Sequence, residues 1–144
     1  MDASGKNKPY QAHLKRAIST VYYAMFHTMA RNCADMLVGS APAHRSASAW
    51  RQMYRGIDHG LAKTRCEATL PNGTPQEIQD FADHFVAMQI KRHEADYDLN
   101  CRFAKTAVIS DMRAAEAIIN AFNSVSAKDR RAFAVWVLLK PRPK

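Results

Sequence analysis

The chain lacks any apolar run approaching the roughly 20 residues needed to cross a bilayer. Its opening stretch, MDASGKNKPYQ, has no apolar block of the secretory kind, so a cytoplasmic protein without membrane contact is expected. Glycine is scarce, five in 144 residues, and no linker or internal repeat divides the sequence. A single domain over 1–144 follows, long enough to bury a core without disulfide staples. Cysteine is sparse and odd in number: Cys33, Cys66 and Cys101 stand far apart, with no CxxC spacing. That excludes a zinc knuckle, fits a reducing compartment, and leaves the three to act as small buried hydrophobes. The GxSxG, phosphate-loop and dinucleotide fingerprints are missing, which argues against hydrolase, nucleotidase and dehydrogenase readings. Asp80 and His84 share a helical face and His93 and Glu94 are adjacent, but no third ligand accompanies either pair. No metal and no cofactor are expected.

Positive charge, by contrast, is plentiful. The formal net charge is +8, with 21 Lys and Arg against 13 Asp and Glu. Residues 1–72 carry ten of the basic and four of the acidic side chains, so most of the excess lies in the N-terminal half. Long-range attraction of this sign favours polyanions, nucleic acid before acidic protein, although solubility alone also rewards it.

Helical periodicity runs through the sequence, and no strand pattern competes with it. Leu14, Ile18, Val21, Met25, Met29 and Met36 recur at spacings of three, four and seven, the core stripe of a helix over about Pro9 to Leu37. A second helix is expected over Ser46 to Arg65, burying Trp50, Met53, Tyr54, Ile57 and Leu61. Gly56 and Gly60 weaken it or permit close packing. After the turn Pro71-Asn72-Gly73, Thr74 and Glu77 make a capping box around Pro75. Ile78, Phe81, Phe85 and Met88 continue that third helix to a break near Asp96–Asn100. A fourth runs from about Cys101 to Phe122, and a short fifth opens at Ser126 with Asp129 as its box partner. The expectation is an all-α, up-and-down bundle of four to five helices. Residues 1–8 are expected to be a flexible start. Residues 127–144 form the last helix and a basic tail whose apolar block AFAVWVLL best serves as a cover for the bundle.

Opposite the core stripe, Arg16, Thr20, Tyr23, His27 and Arg31 line one face of the first helix. Arginine, phenol and imidazole in line suit phosphate contacts and base stacking, so Arg16, Tyr23, His27 and Arg31 are candidate RNA-binding residues. Arg51 and Arg55, with His59, form a similar stripe on the second helix. A solvated face or a second packing face accounts for either stripe equally well. Arg92 falls seven residues after Phe85, on the inward side, and needs a partner there. Asp96 is placed to supply it, with Tyr97 packed beside the pair.

Two of these stretches together resemble the HEPN superfamily of bacterial helical proteins. Leu14–Leu37, LKRAISTVYYAMFHTMARNCADML, resembles the first long helix of a branch with an AIS-x-x-YYAMFH pattern. Lys91–Asp98, KRHEADYD, resembles its R-x-x-ADYD element, and the likeness covers roughly Leu14 to Phe122. The resemblance implies a bundle that often dimerises. It also implies metal-independent RNA cleavage in toxin–antitoxin or defence systems, often beside a nucleotidyltransferase-type partner. The family's catalytic signature is an arginine, an adjacent polar residue, and a histidine five to seven positions after the arginine. Arg92 and His93 match its first two features, but Tyr97, Asp98 and Leu99 occupy the three positions open to the histidine. On this reading Arg92, His93 and Asp96 are the catalytic candidates of an endoribonuclease. The alternative is a non-catalytic binding module that dimerises or pairs with a partner protein, with Arg92 and Asp96 as architecture.

Overall fold

A computed structural model describes the backbone of residues 4–142 and the side chains of residues 10–142. Six α-helices and one 3₁₀ turn follow in order: α1 (Ser4–Leu37), the turn Pro42–His44, α2 (Ala47–Arg55), α3 (His59–Glu67), α4 (Gln76–Tyr97), α5 (Lys105–Asn123) and α6 (Ala127–Leu138). No strand occurs among the described residues. The architecture is an all-α, up-and-down bundle. Its long members are α1, α4, α5 and α6; α2 lies on α1, and α3 lies between α4 and α6.

The expected stripes make the core. Ile18, Met25 and Met29 of α1 meet Phe81, Phe85 and Met88 of α4, with Val108 and Phe122 of α5 and Phe133 and Val137 of α6. Phe81 and Phe122 lie 4.4 Å apart between ring centroids, and Phe133 meets both rings edge-on. The last helix therefore does cover the bundle. It is fastened by a reciprocal pair in which Arg65 Nε donates to the Trp136 carbonyl at 2.9 Å and Trp136 Nε1 donates to the Arg65 carbonyl at 2.8 Å. A second reciprocal pair, between the Gln11 amide and the Phe103 backbone, ties the α4–α5 connection to α1. Cys33 and Cys66 are buried thiols, and burial pushes both up to about 12; Cys101 is half-buried.

Four expectations are corrected. The single helix over Ser46–Arg65 is two helices, because the chain breaks at Gly56-Ile57-Asp58 and Asp58 caps a fresh start by accepting from Leu61 N at 2.8 Å. The capping box at Thr74 does not form: Thr74 Oγ1 donates to the Pro71 carbonyl, and Pro75 stands at the cap with no side-chain bond. The turn before it is real, with Gly73 at φ +88° and Thr74 N bonded to Pro71 O. Helix α5 starts at Lys105 rather than Cys101. Tyr97 is 73% exposed rather than packed inside. At the N-terminus α1 begins at Ser4, and residues 1–3 of the expected flexible start lie outside the described residues. Ser126 caps α6 as expected, accepting from Asp129 N and donating to the Asp129 carboxylate.

Candidate nucleic-acid interface

Adjacent tyrosines on α1 cannot share a face, since successive helical residues turn by about 100°. Tyr22 is fully buried and points to the core, while Tyr23 is 36% exposed. Both rings nevertheless lie under one cation. The Arg92 guanidinium, coming from α4, sits 5.1 Å from the Tyr22 ring centroid and 5.0 Å from that of Tyr23. At such distances the negative ring faces attract it. Asp96 Oδ2 is 3.3 Å from Arg92 Nε, yet the N–H is not aligned on it, and Nε is a buried donor without a hydrogen bond. The pair is thus an ion pair by distance and not a closed hydrogen-bonded anchor.

Sequence reasoning set His59 only in the stripe with Arg51 and Arg55 and missed its meeting with Arg92. His59 opens α3, and the packing of α3 against α4 brings it to the same place as Arg92. Its ring lies flat on Phe26, with centroids 3.7 Å apart and planes 6° apart. Its Nδ1 is hydrogen-bonded to the Tyr22 hydroxyl. Desolvation lowers the His59 pKa, and the positive Arg92 lowers it further, against a smaller opposing pull from Asp58. Burial holds the Tyr22 phenol up at about 12, so it remains a neutral hydroxyl. A neutral, oriented imidazole therefore stands beside a fixed guanidinium. The stripe with Arg51 and Arg55 and the cap at Asp58 marked His59 locally, but its meeting with Arg92 spans 33 positions, a separation that no local motif covers.

The aromatic surface continues outward from this pair. Tyr23 and His27 are ring neighbours, with centroids 6.0 Å apart. His27 Nδ1 is bonded to the Tyr54 hydroxyl at 2.7 Å, and the two rings stack. Tyr54 in turn stacks on Trp50, centroids 5.2 Å apart, and the Arg45 guanidinium lies over Trp50 at 4.5 Å. Arg31 is exposed one turn beyond His27, and Arg51 and Arg55 are exposed on α2. Tyr23, His27 and Arg31 are therefore on one side with Arg92. Arg16 stands apart, bonded to His13 Nδ1 at 2.9 Å on its own helix. His93, next to Arg92 in sequence, turns away from it. The His93 ring meets Tyr97 at 4.7 Å and borders a groove with Lys63, Ile90 and Glu94.

No group of three or more His, Cys, Asp or Glu side chains among the described residues converges to hold a metal ion. Asp80 accepts from Gln76, whereas His84 faces the Asp111 carbonyl. No described helix is long and apolar enough to cross a membrane. No protein-family model, curated protein or solved structure matches the chain.

Proposed function

We propose that this chain is an RNA-directed helical domain that grips a single strand across Tyr23, His27, Tyr54 and Arg92, and cleaves it without metal. The observation that carries the reading is the pairing of Arg92 with His59 over the tyrosine shelf. Attack of a 2′-hydroxyl on its own phosphate needs a proton acceptor that is neutral near pH 7 and a cation for the phosphorane. The Tyr22–His59 bond holds the ring through Nδ1, and in the tautomer that carries its proton there His59 keeps the Nε2 lone pair for the 2′-hydroxyl. Arg92 still has its terminal N–H groups for the phosphate. His59 thus takes the place that the HEPN signature gives to a histidine five to seven residues after the arginine. His93 has no part in this geometry, and Asp96 serves to hold Arg92. The net charge of +8 and the exposed Arg31, Arg51 and Arg55 supply the attraction for the strand.

The HEPN-like setting extends the proposal to a cytoplasmic toxin–antitoxin or defence component that acts as a homodimer beside a nucleotidyltransferase-type partner. The free cysteines accord with the compartment. A second reading has its own observation. Asp96, 3.3 Å from Arg92 Nε, neutralises part of the charge that a phosphate would meet, as suits a binding module without catalysis.

The test is cleavage of a mixed-sequence single-stranded RNA by the full chain in excess EDTA. Arg92→Ala should slow it by about 100- to 1,000-fold, and His59→Ala by about 100-fold or more, with melting curves showing that both variants fold. No cleavage by the parent protein, or cleavage indifferent to Arg92, removes the nuclease. RNA binding that is lost with Tyr23→Ala and His27→Ala in a protein that does not cut would establish the binding module instead.

A further inference from the structure

One turn beyond His27, α1 forms a wall of a polar cavity of about 220 Å³, which also takes in Arg31, Asn32 and Asp35 and, from the α5–α6 side, Asn123 and Arg130. Two of its groups are unusual. Asn32 is only 4% exposed, and its Nδ2 donates to the Arg130 carbonyl at 2.9 Å while its Oδ1 is buried with no partner at all. A buried acceptor left unmade is costly, and native folds retain few of them. Asp35, three residues on along the same face, is held by Trp50 Nε1 at 3.0 Å and Arg45 Nη1 at 3.3 Å. Both bonds fall on Oδ1, so the carboxylate is oriented while Oδ2 accepts nothing from the described side chains. Two acceptors without a side-chain partner therefore stand on the α1 wall, Asn32 Oδ1 closed off beneath the cavity surface and Asp35 Oδ2, with Arg31 and Arg130 lining the same cavity.

We propose that this cavity binds guanine, with the attached phosphate on Arg31 and Arg130. Among the four RNA bases, guanine alone presents two adjacent N–H donors, N1–H and the N2 amine, on its pairing edge. Asn32 Oδ1 and Asp35 Oδ2 are the matching acceptors. Adenine and cytosine place a ring-nitrogen lone pair beside their amine, and uracil flanks its single N–H with two carbonyls, so each sets lone pair against lone pair here. The volume is below the roughly 300–1,000 Å³ typical of drug-sized ligands, which suits a single base with its sugar and phosphate outside. Water does not reach Asn32 Oδ1, so a flanking side chain must move aside for the base to meet it. The inference deepens the RNA-directed reading, because His27 borders both the cavity and the Arg92 surface. The guanine can come from a free guanylate or from a guanosine within a strand.

Trp50, bonded to the reading carboxylate, supplies the reporter. The full chain would be titrated with GMP, AMP, CMP, UMP and inorganic phosphate while the indole N–H resonance of Trp50 is followed. Single-stranded RNAs with and without guanosine would be compared in parallel. GMP should bind about tenfold or more tightly than AMP, the discrimination typical of one bidentate base contact. Asp35→Asn should remove that preference, and Arg130→Gln should weaken all the nucleotides together. Because Asp35 also steadies Trp50, the parent protein's ranking of the four nucleotides stands as a test without any variant. A preference seen only in RNA places the guanine in the strand, and one seen only with GMP makes the free nucleotide the ligand. Equal affinity for all four, or a match by phosphate alone, overturns the guanine assignment. Guanine binding by a protein that cuts no RNA would sink the nuclease and leave the cavity standing. Arg92-dependent cleavage with no guanine preference anywhere would do the reverse.

Discussion

Two aromatic clusters stabilise this bundle, and they differ in what their rings touch. In the first, Phe81, Phe122 and Phe133 join α4, α5 and α6, all buried and meeting one another at ring distances of 4.4–6.0 Å. In the second, Tyr22, Phe26 and His59 join α1 to α3, and a guanidinium, a phenol and an imidazole are drawn into the same space. The first cluster gains by excluding water and has no polar atom to satisfy. The second places a buried hydroxyl, a neutral imidazole and an unpaired Arg92 Nε close together, an arrangement that a fold under selection for stability alone would replace with more phenylalanine. Polar groups gathered at such a cost mark the end of the bundle where function is to be sought.

The sharpest way to break that contrast is at the hydrocarbon end. Phe122→Ala removes a fully buried ring from between Phe81 and Phe133. The loss of stability should be about 3–5 kcal/mol, read as a lower denaturation midpoint with little change in slope. RNA binding by the fraction still folded should be unchanged, since no residue of this cluster reaches the Arg92 surface. A fall in affinity of the folded protein would show that the two ends are not separable.

At the polar end the corresponding change is smaller. Tyr22→Phe keeps the ring under Arg92 but strips the hydroxyl from His59 Nδ1. Leaving that half-buried nitrogen unpaired should cost about 1–3 kcal/mol. If RNA is cut, the imidazole loses its orientation and cleavage should fall by more than the stability change accounts for. A loss of stability with full retention of cleavage would assign the Tyr22–His59 bond to architecture alone.

How far the sequence foretold each end follows from the distances involved. Stripes such as Ile18–Met25–Met29 and Ile78–Phe81–Phe85 are local, and they announced α1, α4, α5 and α6 correctly. The break between α2 and α3 was masked because the apolar positions from Trp50 to Leu61 stay in helical register across it, although Asp58 was present as a cap. Thr74 misled for a different reason: the helix starts one residue later, so Pro75 stands at the cap and the Thr74 hydroxyl instead donates back to the Pro71 carbonyl in the turn. Arg92 was placed on the inward side from its spacing to Phe85, but its bed of two tyrosines depends on how α4 crosses α1. His59 reaches Arg92 only through the docking of α3. Periodicity reports faces, not which faces meet.

The smallest effect discriminates most finely between the two ends, because only the polar one titrates near neutrality. Burial and Arg92 hold the His59 pKa in the folded chain below its ordinary value of 6.5. Below about pH 6.5 the unfolded chain therefore takes up a proton that the folded chain declines, so unfolding gains free energy as the pH falls. The contribution of His59 is complete above pH 6.5 and is lost progressively as the pH falls through the lowered folded pKa. Because the ring is half-buried, solvent screens the effect to a modest size. His59→Gln should flatten the melting temperature of the chain between pH 8 and pH 5 relative to the parent, whereas Phe122→Ala should shift the whole profile down without changing its shape. Arg92→Ala should flatten it in part, since one cause of the depression is gone while burial and His27 remain. An identical acid slope in the parent and the His59 variant would place the acid sensitivity elsewhere and leave the imidazole at its ordinary pKa, no longer the neutral partner that the pairing with Arg92 requires.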